Sequence, residues 1–88
     1  MSNITFIGTG WDDYLYWQTQ DKKTLKKINR LLADIERGGN SGLGHPEPLK
    51  GNLSTWWSRA IDEKNRLVYK VEGGCIHILQ CRSHYGDK

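Results

Sequence analysis

The sequence has little with which to cross-link itself, hold a metal or enter a bilayer. It has two cysteines, Cys75 and Cys81, on one stretch that reads as a strand. Six residues of extended chain span roughly 20 Å, far beyond disulfide reach, so both are expected as free, buried thiols. There is no C-x-x-C pair and no H-E-x-x-H, and the histidines are His45, His77 and His84. Zinc spacing is therefore absent, and no metal or cofactor is expected. No apolar run approaches the roughly 18 residues of a membrane span, and no signal peptide or lipidation motif is visible. These absences predict a soluble cytoplasmic protein with no membrane role. The glycine-rich stretch from Gly38 to Gly44 lacks the G-K-[ST] ending and the preceding strand of a phosphate loop. The chain has two prolines, Pro46 and Pro48, and they enclose a single carboxylate, Glu47.

Eighty-eight residues make one domain, 1–88, with 86–88 as a short tail. Its core must be small. The formal net charge is +3, which permits an anionic partner without demanding one. The charge is not segregated between the two halves. Four Trp and four Tyr are many for this length; aromatics serve cores first, but they also stack on bases.

The densest structural signal runs from Trp56 to Tyr85. It reads as three strands, Trp56–Ile61, Arg66–Glu72 and Cys75–Arg82, separated by Asp62-Glu63-Lys64-Asn65 and Gly73-Gly74. A Gly-Gly link suits a primed hairpin turn. It sets Glu72 opposite Cys75, Val68 opposite Leu79 and Arg66 opposite Cys81. A four-residue turn before it sets Ile61 opposite Arg66 and Arg59 opposite Val68. With period-2 alternation, Arg59, Val68 and Arg66 then share an open face. Ala60, Leu67, Tyr69, Val71, Ile76 and Ile78 share the core face. His84 would arrive near the edge of the open one. This assignment depends on register, because a one-residue slip inverts it.

Upstream, Ile4–Ile7 reads as a short strand. Thr9 and Asp12 mark a helix start, and Trp11, Tyr14, Leu15 and Gln18 form one face of a helix ending near Thr19. Asp21 caps a second helix in which Leu25, Ile28, Leu31, Leu32 and Ile35 recur at helical spacing. Lys22, Lys23, Lys26, Lys27 and Arg30 occupy its other sides and read as a solvated surface. Gly38-Gly39 stops it. A glycine-rich loop follows to Pro48, with Leu49-Lys50 as a candidate edge strand. The order of strand, two helices and an antiparallel meander predicts α+β, with helices on one sheet face.

One stiffened carboxylate, several cations and a C-terminal histidine suit metal-free RNA cleavage. RNA carries its own nucleophile, the 2′-OH. Glu47 could take its proton, His84 could protonate the leaving 5′-oxygen, and Arg66, Arg59 and Lys50 could clamp the phosphate. Tyr85 could stack on a base or orient the phosphate. Many small domains hold Glu, Arg and His, so the same residues also read as a solvated loop carboxylate, a frayed terminus and surface ion pairs.

Specificity comes from the motifs. Trp11-Asp12-Asp13-Tyr14-Leu15-Tyr16-Trp17, Lys26-Lys27-Ile28-Asn29, Gly44-His45-Pro46-Glu47-Pro48-Leu49-Lys50, Asn52-Leu53-Ser54, Trp57-Ser58-Arg59, Arg66-Leu67-Val68-Tyr69 and Cys81-Arg82-Ser83-His84-Tyr85 together resemble the YoeB/Txe toxins of the RelE/ParE superfamily. The resemblance implies a microbial-RNase-like fold and a ribosome-dependent mRNA interferase that cuts in the ribosomal A site. It implies partners as well: a YefM-like antitoxin, the 70S ribosome and mRNA, operator DNA through the antitoxin complex, and a homodimer. By position, Glu47 matches the general base, His84 the general acid and Arg66 the phosphate stabiliser, with Lys50, Arg59 and Tyr85 in supporting substrate-binding positions. Three features depart from the pattern. Ala60 stands where a second arginine is usual, Gly8-Thr9-Gly10 replaces a more polar helix entry, and Gly86-Asp87-Lys88 follows the His-Tyr pair. Two other classes stay open: a ParE-like gyrase inhibitor, and a catalytically weak member acting through antitoxin and operator binding.

Overall fold

Helices form where the apolar spacing demands them, and the computed structural model describes residues 3–51 and 54–83. The order is β1 (Asn3–Phe6), α1 (Gly10–Gln20), α2 (Lys22–Gly38), β2 (Glu47–Pro48), β3 (Trp57–Ala60), β4 (Arg66–Glu72) and β5 (Cys75–Gln80). Asp21 caps α2 by accepting from the Lys23 and Thr24 N–H groups. Gly39, at φ 63°, ends it. Ile28, Leu31, Leu32 and Ile35 are buried as their spacing predicts, each worth roughly 1.5–3 kcal/mol when fully covered. They pack with Leu67, Tyr69, Ile76 and Ile78 of the sheet. The architecture is α+β.

The five strands lie in the order β1-β5-β4-β3-β2. β3, β4 and β5 form the expected antiparallel meander. β1 adds parallel to β5, with Asn3 opposite Cys75 and Phe6 opposite Ile78, so the sheet is mixed. The edge strand on the far side is Glu47–Pro48 rather than Leu49-Lys50, paired with Ser58 and Trp57. Leu49 contributes one further bond, its N–H donating to the Trp56 carbonyl at 2.9 Å.

The register of β3 differs from the expected one by one residue. Ala60 faces Arg66 and Arg59 faces Leu67. The cause is Asp62, whose Oδ1 accepts from the N–H groups of both Lys64 and Asn65. Ile61 N–H also donates to the Asn65 carbonyl. Ile61 is therefore drawn into the turn, which lengthens by one residue, and every side chain of β3 changes face. Arg59 lies on the core face with Leu67 and Tyr69. Ala60 lies on the open face beside Arg66.

The Gly73-Gly74 turn holds, with both residues at positive φ and Glu72 opposite Cys75. Further along, Tyr69 pairs with Ile78 and Val68 with Gln80. Leu79 is thus an extra residue, a bulge, and Val68 does not face it as expected. Past the bulge the backbone partner of Arg66 is Ser83, whose carbonyl accepts the Arg66 N–H at 3.1 Å, rather than Cys81.

Helix α1 also turns a different face inward. Gly10, Asp13 and Trp17 are buried, while Trp11 is 50% and Leu15 39% exposed. Gly10 explains the tilt, because a side-chain carbon there would overlap the Ile78 carbonyl. The helix enters hard against the end of β5. Trp11 and Tyr14 instead stack near Phe6, each ring 5.3 Å from it. Both cysteines are free, Cys81 buried and Cys75 only half-buried. Burial, with the nearby Asp13 charge, pushes the Cys81 thiol up to about 12, so it is a packing group rather than a nucleophile. Among the described residues no helix is long and apolar enough to cross a membrane.

Candidate active site

The open face of the sheet carries a row that crosses four strands: Glu47 opposite Ser58, Ser58 opposite Val68, and Val68 opposite Gln80. Glu47 reaches the row because Pro46 and Pro48 hold it in extended geometry on a two-residue edge strand. Arg66, the first residue of β4, lies next to the row. Its Nε donates to Ser58 Oγ at 3.0 Å, and its Nη2 donates to Glu47 Oε1 at 3.4 Å. The Arg66 side chain is 16% exposed and the Glu47 side chain 68%. The guanidinium is therefore held from below by a buried serine and offers its outer edge to solvent. Ser58 itself is 2% exposed.

Lys50 is exposed, two residues past β2. Lys70 adds a second cation to this face, its Nζ 4.9 Å from the centre of the Trp56 ring and 3.2 Å from Glu72. Arg59 is not part of the face. It is wholly buried and donates through Nε to Tyr69 OH, through Nη1 to Asp34 and the Leu43 carbonyl, and through Nη2 to the Gly39 and Ser41 carbonyls. The expected pair of surface arginines is thus one arginine, Arg66, with Ala60 beside it.

His84 and Tyr85 lie outside the described residues. The segment leading to them is tied at each step. The Cys81 N–H donates to Asp13 Oδ2 at 3.1 Å, and Trp17 Nε1 donates to the Cys81 carbonyl at 2.8 Å. The Arg82 guanidinium lies 3.6 Å from the centre of the Tyr16 ring. Ser83 N–H donates to Asn65 Oδ1 at 2.6 Å, while its carbonyl takes the Arg66 N–H. His84 therefore follows a residue bonded to the backbone of Arg66.

The hollows of the surface lie elsewhere. One of about 340 Å³ opens between β1 and the helices, lined by Phe6, Tyr14 and Leu32 among others. Another of about 530 Å³ opens by Tyr16, Trp17, Lys64 and Arg82. Neither is lined by Glu47 or Arg66. A carboxylate and a guanidinium on an open face, enclosed by neither of these hollows among residues 3–51 and 54–83, fit a strand presented from outside better than a small molecule that must be enclosed.

A family model for the YoeB-like toxin of bacterial type II toxin–antitoxin systems matches residues 6–85. The toxin YoeB of Streptomyces coelicolor is 54% identical over 82 residues, covering 93% of this chain and 98% of that one. The chain belongs to the YoeB toxin family. Its members are known as ribonucleases. The YoeB/ParE toxin from Agrobacterium tumefaciens superposes with a TM-score of 0.91 at 40% identity, over 94% of this chain and 99% of that one. The toxin in the heterotetrameric YoeB-YefM complex from Staphylococcus aureus gives 0.89 at 48% identity, over 97% and 99%. A YoeB dimer from the same organism gives 0.89 at 48%, over 96% and 98%.

Within this YoeB-type chain, three supporting groups escape a reading for chemistry. Ser58 holds Arg66, Asn65 holds Ser83, and the Asp13–Trp17 pair grips both the backbone N–H and the carbonyl of Cys81. The family motif around Trp11 to Trp17 contained that last signal. Its charged member Asp13 sits four residues before Trp17, one helical turn apart, which reads as a buried polar stripe only once the partner strand is known.

Proposed function

We propose that this YoeB-family toxin is a ribosome-dependent mRNA endonuclease that cleaves message in the ribosomal A site without a metal and so inhibits translation. The observation that carries this is the Glu47–Arg66 pair, brought to 3.4 Å from positions 19 apart in sequence on an open face. Glu47 removes the proton of the 2′-OH, which attacks the adjacent phosphorus. Arg66, located by Ser58, moves its outer donors from Glu47 to the phosphate oxygens and stabilises the dianionic five-coordinate state. Its planar fork suits two oxygens at once. His84, the residue after Ser83, protonates the 5′-oxygen as it leaves; an unperturbed imidazole, near about 6.5, suits an acid working near neutrality. Lys50 contacts the RNA backbone and Tyr85 stacks on a base or orients the phosphate.

The exposed site explains the need for a ribosome. A face that exposes Glu47 this far, with no enclosing wall among the described residues, aligns a flexible strand poorly, and alignment supplies much of a bimolecular barrier. Purified protein is expected to cut free RNA far more slowly than translated mRNA. The cover for this face is a YefM-like antitoxin, since the Staphylococcus aureus relative was solved with YefM. An acidic segment that folds on binding suits Arg66 and Lys70, and the toxin–antitoxin complex would then bind operator DNA. A homodimer is supported by the YoeB dimer of the same relative.

Toeprinting on programmed ribosomes tests the activity. A new stop in the A-site codon is expected, with a 2′,3′-cyclic phosphate or 3′-phosphate on the upstream product. A 2′-deoxy residue at the scissile position should abolish it. A 3′-hydroxyl upstream product would sink the scheme. Loss of gyrase supercoiling without any mRNA cut would favour the ParE-like class instead.

A further inference from the structure

We propose that Arg59 and Asp34 act as positioning residues for Glu47, by clamping the loop that delivers it, and that Arg59 makes no contact with RNA. The inference rests on the reading of Glu47 as the general base.

Arg59 is wholly buried, and its five N–H donors have five acceptors. No donor is left for a phosphate. Three of the acceptors are main-chain carbonyls of one loop, those of Gly39, Ser41 and Leu43. Alternate residues of a wandering segment are thus turned inward onto a single planar group. Asp34, on α2, closes the clamp from the other side. Its Oδ2 takes Arg59 Nη1 at 2.6 Å and the Leu43 N–H at 2.9 Å. Leu43 is held by both its N–H and its carbonyl. The next residue is held as well, since the Ala60 N–H donates to the Gly44 carbonyl at 2.7 Å. His45 and Pro46 then separate this anchor from Glu47, which pairs with Ser58. Ser58, Arg59 and Ala60 are consecutive, so one short strand grips the loop on its core face and receives Glu47 on its open face.

The clamp is needed because the other bonds to this loop are few: the Tyr69 hydroxyl donates to the Gly39 carbonyl and Asn40 Oδ1, Ser41 Oγ to the Gly38 carbonyl, and the Ala60 N–H to the Gly44 carbonyl. The loop from Gly39 to Gly44 is rich in glycine, with a large conformational freedom to be lost on ordering, and β2 has only two residue pairs. A buried charge is costly to keep, and a well-packed apolar side chain is often as stable or more so. What an apolar side chain cannot do is set three carbonyls in one plane. A base displaced by about 1 Å can lose about 10²-fold in rate, so the benefit falls on Glu47.

A double-mutant cycle separates positioning from direct contact and from general stability. Cleavage by the full chain is measured on programmed ribosomes under single-turnover conditions, with folding followed by melting. Arg59→Lys keeps the charge but loses the fork. We expect it to slow cleavage by roughly 10-fold or more when Glu47 is present, and by less than about 2-fold in the Glu47→Ala background, because the group it positions is gone. Gly42→Ala repeats the test with every charged residue kept, by pushing on the Asp34 oxygen that pairs with Arg59. Its new side-chain carbon would collide with the Asp34 carboxylate and lift an exposed loop, so the fold survives even where Arg59→Lys does not. The same loss in both backgrounds would overturn the clamp, since Arg59 would then act on the phosphate or on the fold at large. Near-normal cleavage by Glu47→Ala alone would overturn the reading of Glu47 and the clamp together. The two failures are therefore distinguishable.

Discussion

Arg59 and Arg66 stand on adjacent strands of one sheet and point to opposite faces of it. Arg59 spends all five donors inside the protein. Arg66 spends two, on Ser58 and Glu47, and keeps its outer edge toward solvent. One guanidinium organises backbone, and the other has the free edge that the proposed phosphate contact requires. Residue type alone cannot tell them apart, since both are arginines beside aromatic or aliphatic strand residues. What separates them is a single residue of register, imposed by the Asp62 carboxylate in the intervening turn. The lesson for open-faced sites is that the unsatisfied donor marks function, whereas the fully satisfied one marks architecture.

The contrast can be broken from either side. The largest effect is expected at the open face. Arg66→Ala should lower cleavage on ribosomes by about 10³-fold with little change in melting temperature, and Glu47→Ala by roughly 10²- to 10⁴-fold. Arg66→Lys should not restore the full rate, because a point charge cannot span two phosphate oxygens. A wild-type rate from Arg66→Ala would remove the proposed division of labour.

At the buried face the effect should appear first in stability. Arg59→Ala leaves several oxygens without their donor, for a loss of at least about 2 kcal/mol, or a fall of roughly 8–16 °C in a domain of this size. Calorimetry decides this. An unchanged melting temperature would show that the loop finds other partners.

A smaller gain is expected from Ala60→Arg, which places a second arginine on the open face opposite Arg66. One added exposed cation should raise kcat/KM by roughly two- to five-fold and steepen the salt dependence of RNA binding by about 0.7 in log–log slope. No change in slope would mean that position 60 does not approach the phosphates.

The smallest effect is in acid. The hydrogen bond from Arg59, followed by that from the Leu43 N–H, holds the Asp34 carboxyl below its ordinary value of 3.8. A depressed folded-state pKa adds stability that is complete above the ordinary value and is lost as pH falls through the folded one. Melting temperature should therefore drop as the pH falls below the ordinary carboxyl value and through the lower folded one, and Asp34→Asn should flatten that drop. Parallel curves for the two proteins would argue against the ion pair.

Much of the fold was legible because local rules agreed with one another. The α2 face from Leu25 to Ile35, the Asp21 cap, the Gly73-Gly74 hairpin and the full extent of β4 follow from spacing and turn chemistry. Glu47 was legible from its two prolines, and Arg66 from its place at the start of a strand. The failures share one physical origin, a side chain acting on distant backbone. Asp62 closes a longer turn than residue count suggests and so carries Arg59 to the core. Gly10 lets α1 approach β5, which turns Asp13 and Trp17 inward in place of Trp11 and Leu15. The bulge at Leu79 has no local signature at all.

The parallel pairing of β1 with β5 also has a meaning in time. Strand β1 is made before the other described elements, and among the described residues its neighbour in the sheet is β5. At 5–20 residues per second the wait from Phe6 to Cys75 is on the order of 3–14 s. During that interval the helices and the loop can form, but β4 lacks one flank and β1 has no partner. The sheet that carries Glu47 and Arg66 is complete only when β5 has been translated. A protein proposed to cut messages on ribosomes thus assembles its cutting face after the ribosome making it has read almost every codon that shapes that face.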